Sequence, residues 1–275
     1  MPHPRHEDHD PQLEYWPRVC RMTLAYDASG DGPALVLLHS AVCDRRMWDS
    51  QWSALVEAGY RVVRCDFRGF GQSPLPDRRH NDAEDVLDLL DSLGVEQAAL
   101  IASSYGGRVA VEIAARRPDR VSAMVLLASG LPGHEPTDEL RAFGEREDAL
   151  LEAGDIAGAV ELNVDTWLGP DAEEAVRDAV REMQRRAFEV QLAAPEGAGR
   201  SGVEIDLSAV KAPCLALSGG LDLADFRQIA ARLPGLFPNT RHIELPWAGH
   251  LPSLERPGAV MDLLIGFLRE TVPAG

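Results

Sequence analysis

A chain of 275 residues has room for one sizeable core, or for one domain carrying a large insertion, and is short for two unrelated domains. Its 44 acidic residues against 27 basic ones give a formal charge of −17, which repels phosphate backbones and anionic lipid and argues against nucleic acid or a membrane surface as a partner. No apolar run approaches the ~20 residues of a spanning helix, and the opening MPHPRHEDHDPQLEYWP lacks the charged-then-apolar order of a secretion signal, so a cytoplasmic protein is expected.

The elements follow in chain order. A pair of strands is expected around residues 19–27. From Leu24 onward, short runs of Val, Leu and Ile alternate with stretches of helical spacing, the pattern of a parallel sheet covered by helices. Strands are predicted at 34–39 (ALVLLH), 60–66 (YRVVRCD), 98–102, 121–128 (VSAMVLLA), 214–218 (CLALS) and 241–245. Between the second and third, NDAEDVLDLLDSL at 81–93 sets Val86, Leu89, Leu90 and Leu93 on one helical face, with acids in the first turn to suit the helix dipole.

The rhythm breaks between Gly133 and about Val203, where helices are predicted at 136–153, 155–167 and 171–192, punctuated by AGD, LGPD and APEGAGRSG. The reading is a core over 1–132, with an N-terminal arm, a helical cap inserted at 133–203, and the rest of the core at 204–275. Cys20, Cys43, Cys65 and Cys214 are scattered singly, without the spacing of a metal site, and are expected to be free thiols. Neither a metal nor a cofactor is called for.

The chemistry gathers at strand ends. The strand 98–102 runs into SSYGG and at once into an amphipathic helix, 106–116, so the chain must turn sharply at Ser104. A side chain at such an apex projects above the carboxyl end of the sheet, and small residues two before and two after, Ala102 and Gly106, let strand and helix approach. Ser104 is the candidate nucleophile; a serine that merely caps the helix is the alternative. A serine hydroxyl needs a base, and the base an orienting acid. Asp222 lies in GGLDLADF, just after 214–218, and His250 in PWAGHLPSLERP, just after 241–245. Asp225 is the rival acid, but its place before FRQIAARL suits an N-cap.

These motifs together, with DFRGFGQS at 66–73, resemble the α/β-hydrolase superfamily from about Met22 to Leu268. The resemblance implies a mostly parallel central sheet flanked by helices with an inserted helical cap, and the chain order Ser104, Asp222, His250 is the one that fold requires. It places the oxyanion donors at the backbone amide of Tyr105 and in the loop HSAVCDRRMWD, where Ala41 is preferred and Val42 is the reserve; His39 and Ser40 would brace that loop, and Gly69 and Gly71 would support a tight turn. The loop is similar to that of 3-oxoadipate enol-lactonase-like members. Three positions depart from the pattern: Ser40 stands for the glycine after His39, Ala102 for the first glycine of the elbow, and Ser103 where histidine is common.

Serine rather than aspartate at the apex argues against haloalkane dehalogenase or epoxide hydrolase chemistry and for acyl transfer to water from a small carboxylic ester or lactone. The same triad would also serve carbon–carbon bond hydrolysis or, with an organic acid and peroxide, peracid formation, and a slow-turnover relative would act as a small-molecule receptor. Candidate walls of the substrate site are Val42, Tyr105, Leu131, Trp167, Phe188, Leu223 and Leu251. Arg45, Arg46 and Arg68 are read as solvated or structural, which leaves no cationic pair to clamp a dicarboxylate. Monomer and homodimer are equally compatible with the sequence.

Overall fold

Where the apolar runs are longest, the strands are covered on both faces. The computed structural model describes residues 24–195 and 197–274, so Cys20 and the first part of the strand pair expected at 19–27 lie outside the described residues. In chain order the elements are β1 (Tyr26–Ser29), β2 (Ala34–Leu38), α1 (Asp49–Glu57), β3 (Arg61–Cys65), β4 (Arg79–His80), α2 (Asp82–Ser92), β5 (Ala98–Ser103), α3 (Tyr105–Arg116) and β6 (Val121–Leu127). There follow α4 (Asp138–Glu152), α5 (Ile156–Trp167), α6 (Glu174–Gln191), β7 (Gly199–Arg200), β8 (Cys214–Gly219), α7 (Ala224–Leu236), β9 (Thr240–Leu245), α8 (Pro252–Glu255) and α9 (Pro257–Thr271).

Seven strands form one sheet in the order β1-β3-β2-β5-β6-β8-β9, with β1 antiparallel to β3 and every other pair parallel. Alternate residues of a strand point to opposite layers. Val36, Leu38, Leu100 and Ala102 pack with Val86 and Leu90 of α2, Val109 and Ile113 of α3 and Ile229 and Leu233 of α7. Leu35, Leu37, Ile101 and Leu127 face the other way, toward Leu55 of α1 and Val260, Leu264 and Leu268 of α9. Double coverage explains why these strands read as unbroken apolar runs rather than as alternating ones.

The helices α4, α5 and α6 lie between β6 and β8 in sequence. Thr137 caps α4 by accepting the Leu140 N–H at 3.3 Å, and Asp155 caps α5 by accepting that of Gly158 at 2.8 Å. The inner faces of α5 and α6, with Val160, Val164, Val180 and Met183, join the second apolar layer, whereas α4 buries no residue fully. One pairing is not expected from the sequence: β7, inside the APEGAGRSG stretch that reads as a linker, pairs with β4 in a two-stranded parallel ladder. Cys43, Cys65 and Cys214 are free and buried, and burial pushes their thiols up, that of Cys214 to about 12. Among the described residues no helix is long and apolar enough to cross a membrane.

The chain leaves β2 toward β3 on one side and returns to β5 on the other, so the strand order reverses between β2 and β5. The crevice beyond the carboxyl ends of such strands is where ligands of open α/β sheets bind. Helix α3 can close on that crevice only because of Gly106: a Cβ there would stand 2.5 Å from the Leu38 carbonyl oxygen and 2.7 Å from that of His39. Gly106→Ala is therefore expected to lose about 1–3 kcal/mol in urea unfolding. Gly266→Ala in α9, whose Cβ would meet nothing within 4 Å, is expected to be neutral or to gain up to about 1 kcal/mol. Equal stability of the two variants would contradict this account of the α3 contact.

Candidate active site

Ser104 occupies the apex between β5 and α3 with φ 51° and ψ −112°, a backbone region that residues with a Cβ rarely enter. The turn is pinned on both sides. Its N–H donates to the Leu127 carbonyl of β6 at 2.9 Å, and its carbonyl accepts from the N–H groups of Gly130 at 2.9 Å and Arg108 at 3.2 Å. Gly107 completes the fit, since a Cβ there would lie 2.2 Å from Ser129 Oγ.

Above the apex, Ser104 Oγ and His250 Nε2 are 2.7 Å apart, and His250 Nδ1 and Asp222 Oδ2 are 2.8 Å apart. An ionised carboxylate only accepts, so the proton lies on Nδ1, and Nε2 is left to accept from the serine hydroxyl. The second Asp222 oxygen takes the Leu223 N–H at 2.7 Å. All three groups are nearly dry, with Ser104 8%, Asp222 7% and His250 2% exposed. Two aromatic rings enclose the imidazole, Trp167 at 4.6 Å and Phe226 at 4.2 Å between centroids, and the Trp167 carbonyl accepts the His250 N–H at 2.8 Å. The Trp167 indole is itself fixed, donating to Asn163 Oδ1 at 2.8 Å. Phe226 was not singled out in the sequence, where FRQIAARL gives only a helical pattern.

The loop after β2 spends most of its amides internally. Ser40 N–H points at Met47 Sδ at 3.3 Å, Val42 N–H at Ser40 Oγ at 3.5 Å, and Cys43 N–H at the Ser40 carbonyl at 3.1 Å. That leaves Ala41, half-buried, as the amide of this turn without such a partner, and Tyr105, first residue of α3, has an N–H outside the helical ladder. His39 braces the loop: Nδ1 donates to the Ser40 carbonyl at 2.8 Å and Nε2 accepts the Phe67 N–H at 3.0 Å, while burial pushes the imidazole below its usual range and keeps it neutral. The Tyr105 phenol donates to Asp82 Oδ2 at 2.5 Å, under the guanidinium of Arg200.

The DFRGFGQS turn is a scaffold. Buried Asp66 accepts from the amides of Arg45 at 2.8 Å and Gln72 at 2.9 Å, and a Cβ on Gly71 would stand 2.3 Å from its Oδ2. Arg45 is bound to Asp27 and Asp66, Arg46 to Asp44 and Glu182, and Arg68 to Asp85. His80, Asp82 and Asp85 bring metal-ligand atoms within 4.8 Å of one another, but Arg68 forks Asp85 and Arg200 donates to Asp82 at 3.2 Å, so these charges are already offset. Of the candidate wall residues, Val42, Trp167, Phe188, Leu251 and half-buried Leu223 belong to one apolar layer, and Leu131 and Tyr105 to the other.

Asp225 corrects the sequence reading. It does not cap α7, whose N-cap is Leu223 with no side-chain bond; it is fully buried within the first turn and accepts from His134 Nε2 at 2.8 Å, Thr137 N–H at 2.8 Å and Thr137 Oγ1 at 2.5 Å. The carboxylate turns away from its own helix to hold the segment that leads into α4. Burial alone would push this carboxyl up, but the bonds from Thr137 and His134 outweigh it and hold it below the usual range. A depressed pKa stabilises the fold above the unfolded value, near pH 4, and that stabilisation disappears as the pH falls through the folded value. Asp225→Asn should thus be about 1.5–3 kcal/mol less stable than the parent at pH 7, with the gap closing below about pH 4 in denaturant titrations. A gap independent of pH would show that the charge contributes nothing.

Residues 33–153 match the family model for the alpha/beta hydrolase fold. Among curated relatives, the pimeloyl-[acyl-carrier protein] methyl ester esterase of Aeromonas hydrophila subsp. hydrophila is 27% identical, over 90% of this chain and 100% of that one. A thermophilic esterase from Thermogutta terrifontis superposes with a TM-score of 0.75 at 25% identity, covering 90% of this chain and 93% of that one. The enol-lactonase from Burkholderia xenovorans LB400 gives 0.72 at 26% identity, covering 89% and 96%. The sheet order, the strained serine turn and these likenesses, spread over nearly the whole length, agree: the chain has the α/β-hydrolase fold.

Proposed function

We propose that the protein is a serine hydrolase that cleaves a carboxylic ester or lactone of a small molecule through an acyl-enzyme. The observation that carries this reading is the hydrogen-bonded line from Asp222 through His250 to Ser104, ending on a serine held at positive φ. Similarity to an esterase, an enol-lactonase and a methyl ester esterase favours an ester bond over other acyl links.

In this mechanism Ser104 Oγ attacks the carbonyl carbon as its proton passes to His250 Nε2. Asp222 keeps the Nδ1 proton in place and supports the imidazolium that forms. The charge that develops on the carbonyl oxygen is met by the amides of Tyr105 and Ala41, fixed dipoles in a site from which water is largely excluded. His250 then returns the proton to the departing alkoxide; a water, deprotonated by the same nitrogen, attacks the acyl carbon, and that proton passes to Ser104 Oγ as the bond to the serine breaks and the acid leaves.

The helices α4 to α6 set the size of the acyl group in this reading, since the reacting groups lie outside them and Trp167 and Phe188 line their inner face. Trp167→Ala is expected to shift preference between short and long 4-nitrophenyl esters and, because the ring lies against His250, to lower kcat for all of them. An unchanged chain-length profile would return Trp167 to ordinary packing.

The direct test of the triad combines labelling with turnover. A fluorophosphonate should modify Ser104, and Ser104→Ala should abolish both labelling and hydrolysis of 4-nitrophenyl esters without loss of fold. Asp222→Asn should lower kcat by about 10⁴, the scale for loss of the orienting acid, while Asp225→Asn keeps its turnover. Labelling that survives Ser104→Ala, or a collapse in Asp225→Asn with Asp222→Asn active, would refute the proposed roles.

A further inference from the structure

The loop that carries His250 is held by a carboxylate for which the mechanism above has no use. Glu255 ends α8 and turns both oxygens back along the loop: Oε1 accepts the N–H of Gly249 at 3.1 Å and of Leu251 at 3.3 Å, and Oε2 the N–H of Gly249 at 3.0 Å. The amide between them, that of His250, goes to the Trp167 carbonyl. Three consecutive N–H groups are thus taken by two acceptors, one from the core and one from the end of α5.

The same carboxylate also lies against the chain just beyond α5, where the backbone N–H of Gly169 helps to hold its charge. Both glycines are needed for this meeting. A Cβ on Gly169 would lie 2.5 Å from Glu255 Oε2, and a Cβ on Gly249 would lie 2.5 Å from the Gly169 nitrogen and 3.1 Å from Oε1. Burial, with the nearby charge of Asp222, pushes the Glu255 carboxyl up, while the three amides pull it down. Among the described residues no lysine or arginine is ion-paired with it, and backbone amides are what offset its charge.

We propose that Glu255 is a positioning residue for His250 and the latch that ties Gly169, at the end of α5, to the histidine loop. The inference rests on the reading of His250 as the proton carrier. The carboxylate touches no reacting atom; it fixes the backbone on either side of the imidazole, and so the 2.7 Å approach of Nε2 to Ser104 Oγ. Without it, Gly249 and Leu251 lose their acceptor and the ring is free to move by a fraction of an ångström to an ångström, a displacement on the scale that costs about 10²-fold in rate. Glutamine in its place keeps one oxygen for Gly249 and Leu251, but turns its NH2 group on the Gly169 N–H, donor against donor.

The experiment measures kcat and KM for 4-nitrophenyl butyrate on the full chain, with far-UV circular dichroism and melting curves for each variant, well below each melting temperature. Glu255→Ala is expected to lower kcat about 10²-fold with KM changed by less than about 3-fold, and Glu255→Gln to recover part of it, to about 10-fold below the parent. A purely structural role would lower the melting temperature and leave kcat of the folded molecules unchanged, and that result overturns the proposal. If Glu255→Ala does not fold, Glu255→Gln decides: parental kcat contradicts the proposal, and a folded protein about 10-fold slower supports it. His250→Ala separates the two levels. Inactive His250→Ala with parental Glu255 variants overturns the positioning role alone, whereas active His250→Ala overturns the reading of His250 and the inference with it.

Discussion

Ser104 is held at φ 51° and ψ −112°, a conformation that costs a residue with a side chain about 1–3 kcal/mol, and much of the core's design serves to keep it there. The turn hangs from β6 by its N–H and is closed underneath by the amides of Gly130 and Arg108. Helix α3 comes so near the ends of β2 and β6 that glycine alone fits at 106 and 107. One tight approach yields three results: an apex that lifts a hydroxyl above the sheet, a free N–H on the following residue, and a helix N-terminus aimed at the point where negative charge would form. The strand reversal between β2 and β5 brings the His39–Asp44 loop to the same spot, where the His39 carbonyl accepts the Gly106 N–H at 3.1 Å.

His250 and Asp222 come from the other half of the sheet, where strain has a smaller part and packing a larger one. His250 is fixed by enclosure: two aromatic rings packed against it, a carboxylate on Nδ1, a hydroxyl on Nε2 and the Trp167 carbonyl on its own amide. Part of that enclosure belongs to the inserted helices, so these do more than roof the site. They supply an aromatic ring and a backbone acceptor to a residue of the core. Asp225 anchors the entry to the insertion at Thr137, while Gly169 meets the histidine loop at the end of α5. The insertion is thereby tied down at two points, each by a carboxylate that accepts backbone N–H groups.

How much of this is legible in the sequence depends on the range of the interaction. The central strands declare themselves because double burial removes alternation, and Ser104 and Asp222 stand out because each closely follows one, whereas His250 comes after the half-exposed edge strand β9 and stands out by its place in the chain order. The 2-residue ladder of Arg79–His80 with Gly199–Arg200 has no hydrophobic signal and was missed. Asp225 looks like a cap because an acid before a helical run usually is one; only the tertiary fold reveals that its partners sit about ninety residues earlier, at His134 and Thr137. Phe226 and Glu255 share this difficulty. Each lies in a run whose local pattern is satisfied by a helix, and the contacts that give it a role, with His250 and with Gly169, exist only once separate loops converge.

The central claim is that the strained turn places one hydroxyl, one imidazole and two amides around a single carbonyl position. The crystal structure of the protein after reaction with a phosphonate ester, whose tetrahedral phosphorus stands in for the attacked carbon, tests it most directly. The account predicts phosphorus bonded to Ser104 Oγ, with its negatively charged oxygen about 2.7–3.1 Å from both the Tyr105 and Ala41 nitrogens and His250 Nε2 facing the leaving-group position. Phosphorus on another side chain, or an oxygen turned away from those two amides, would contradict it.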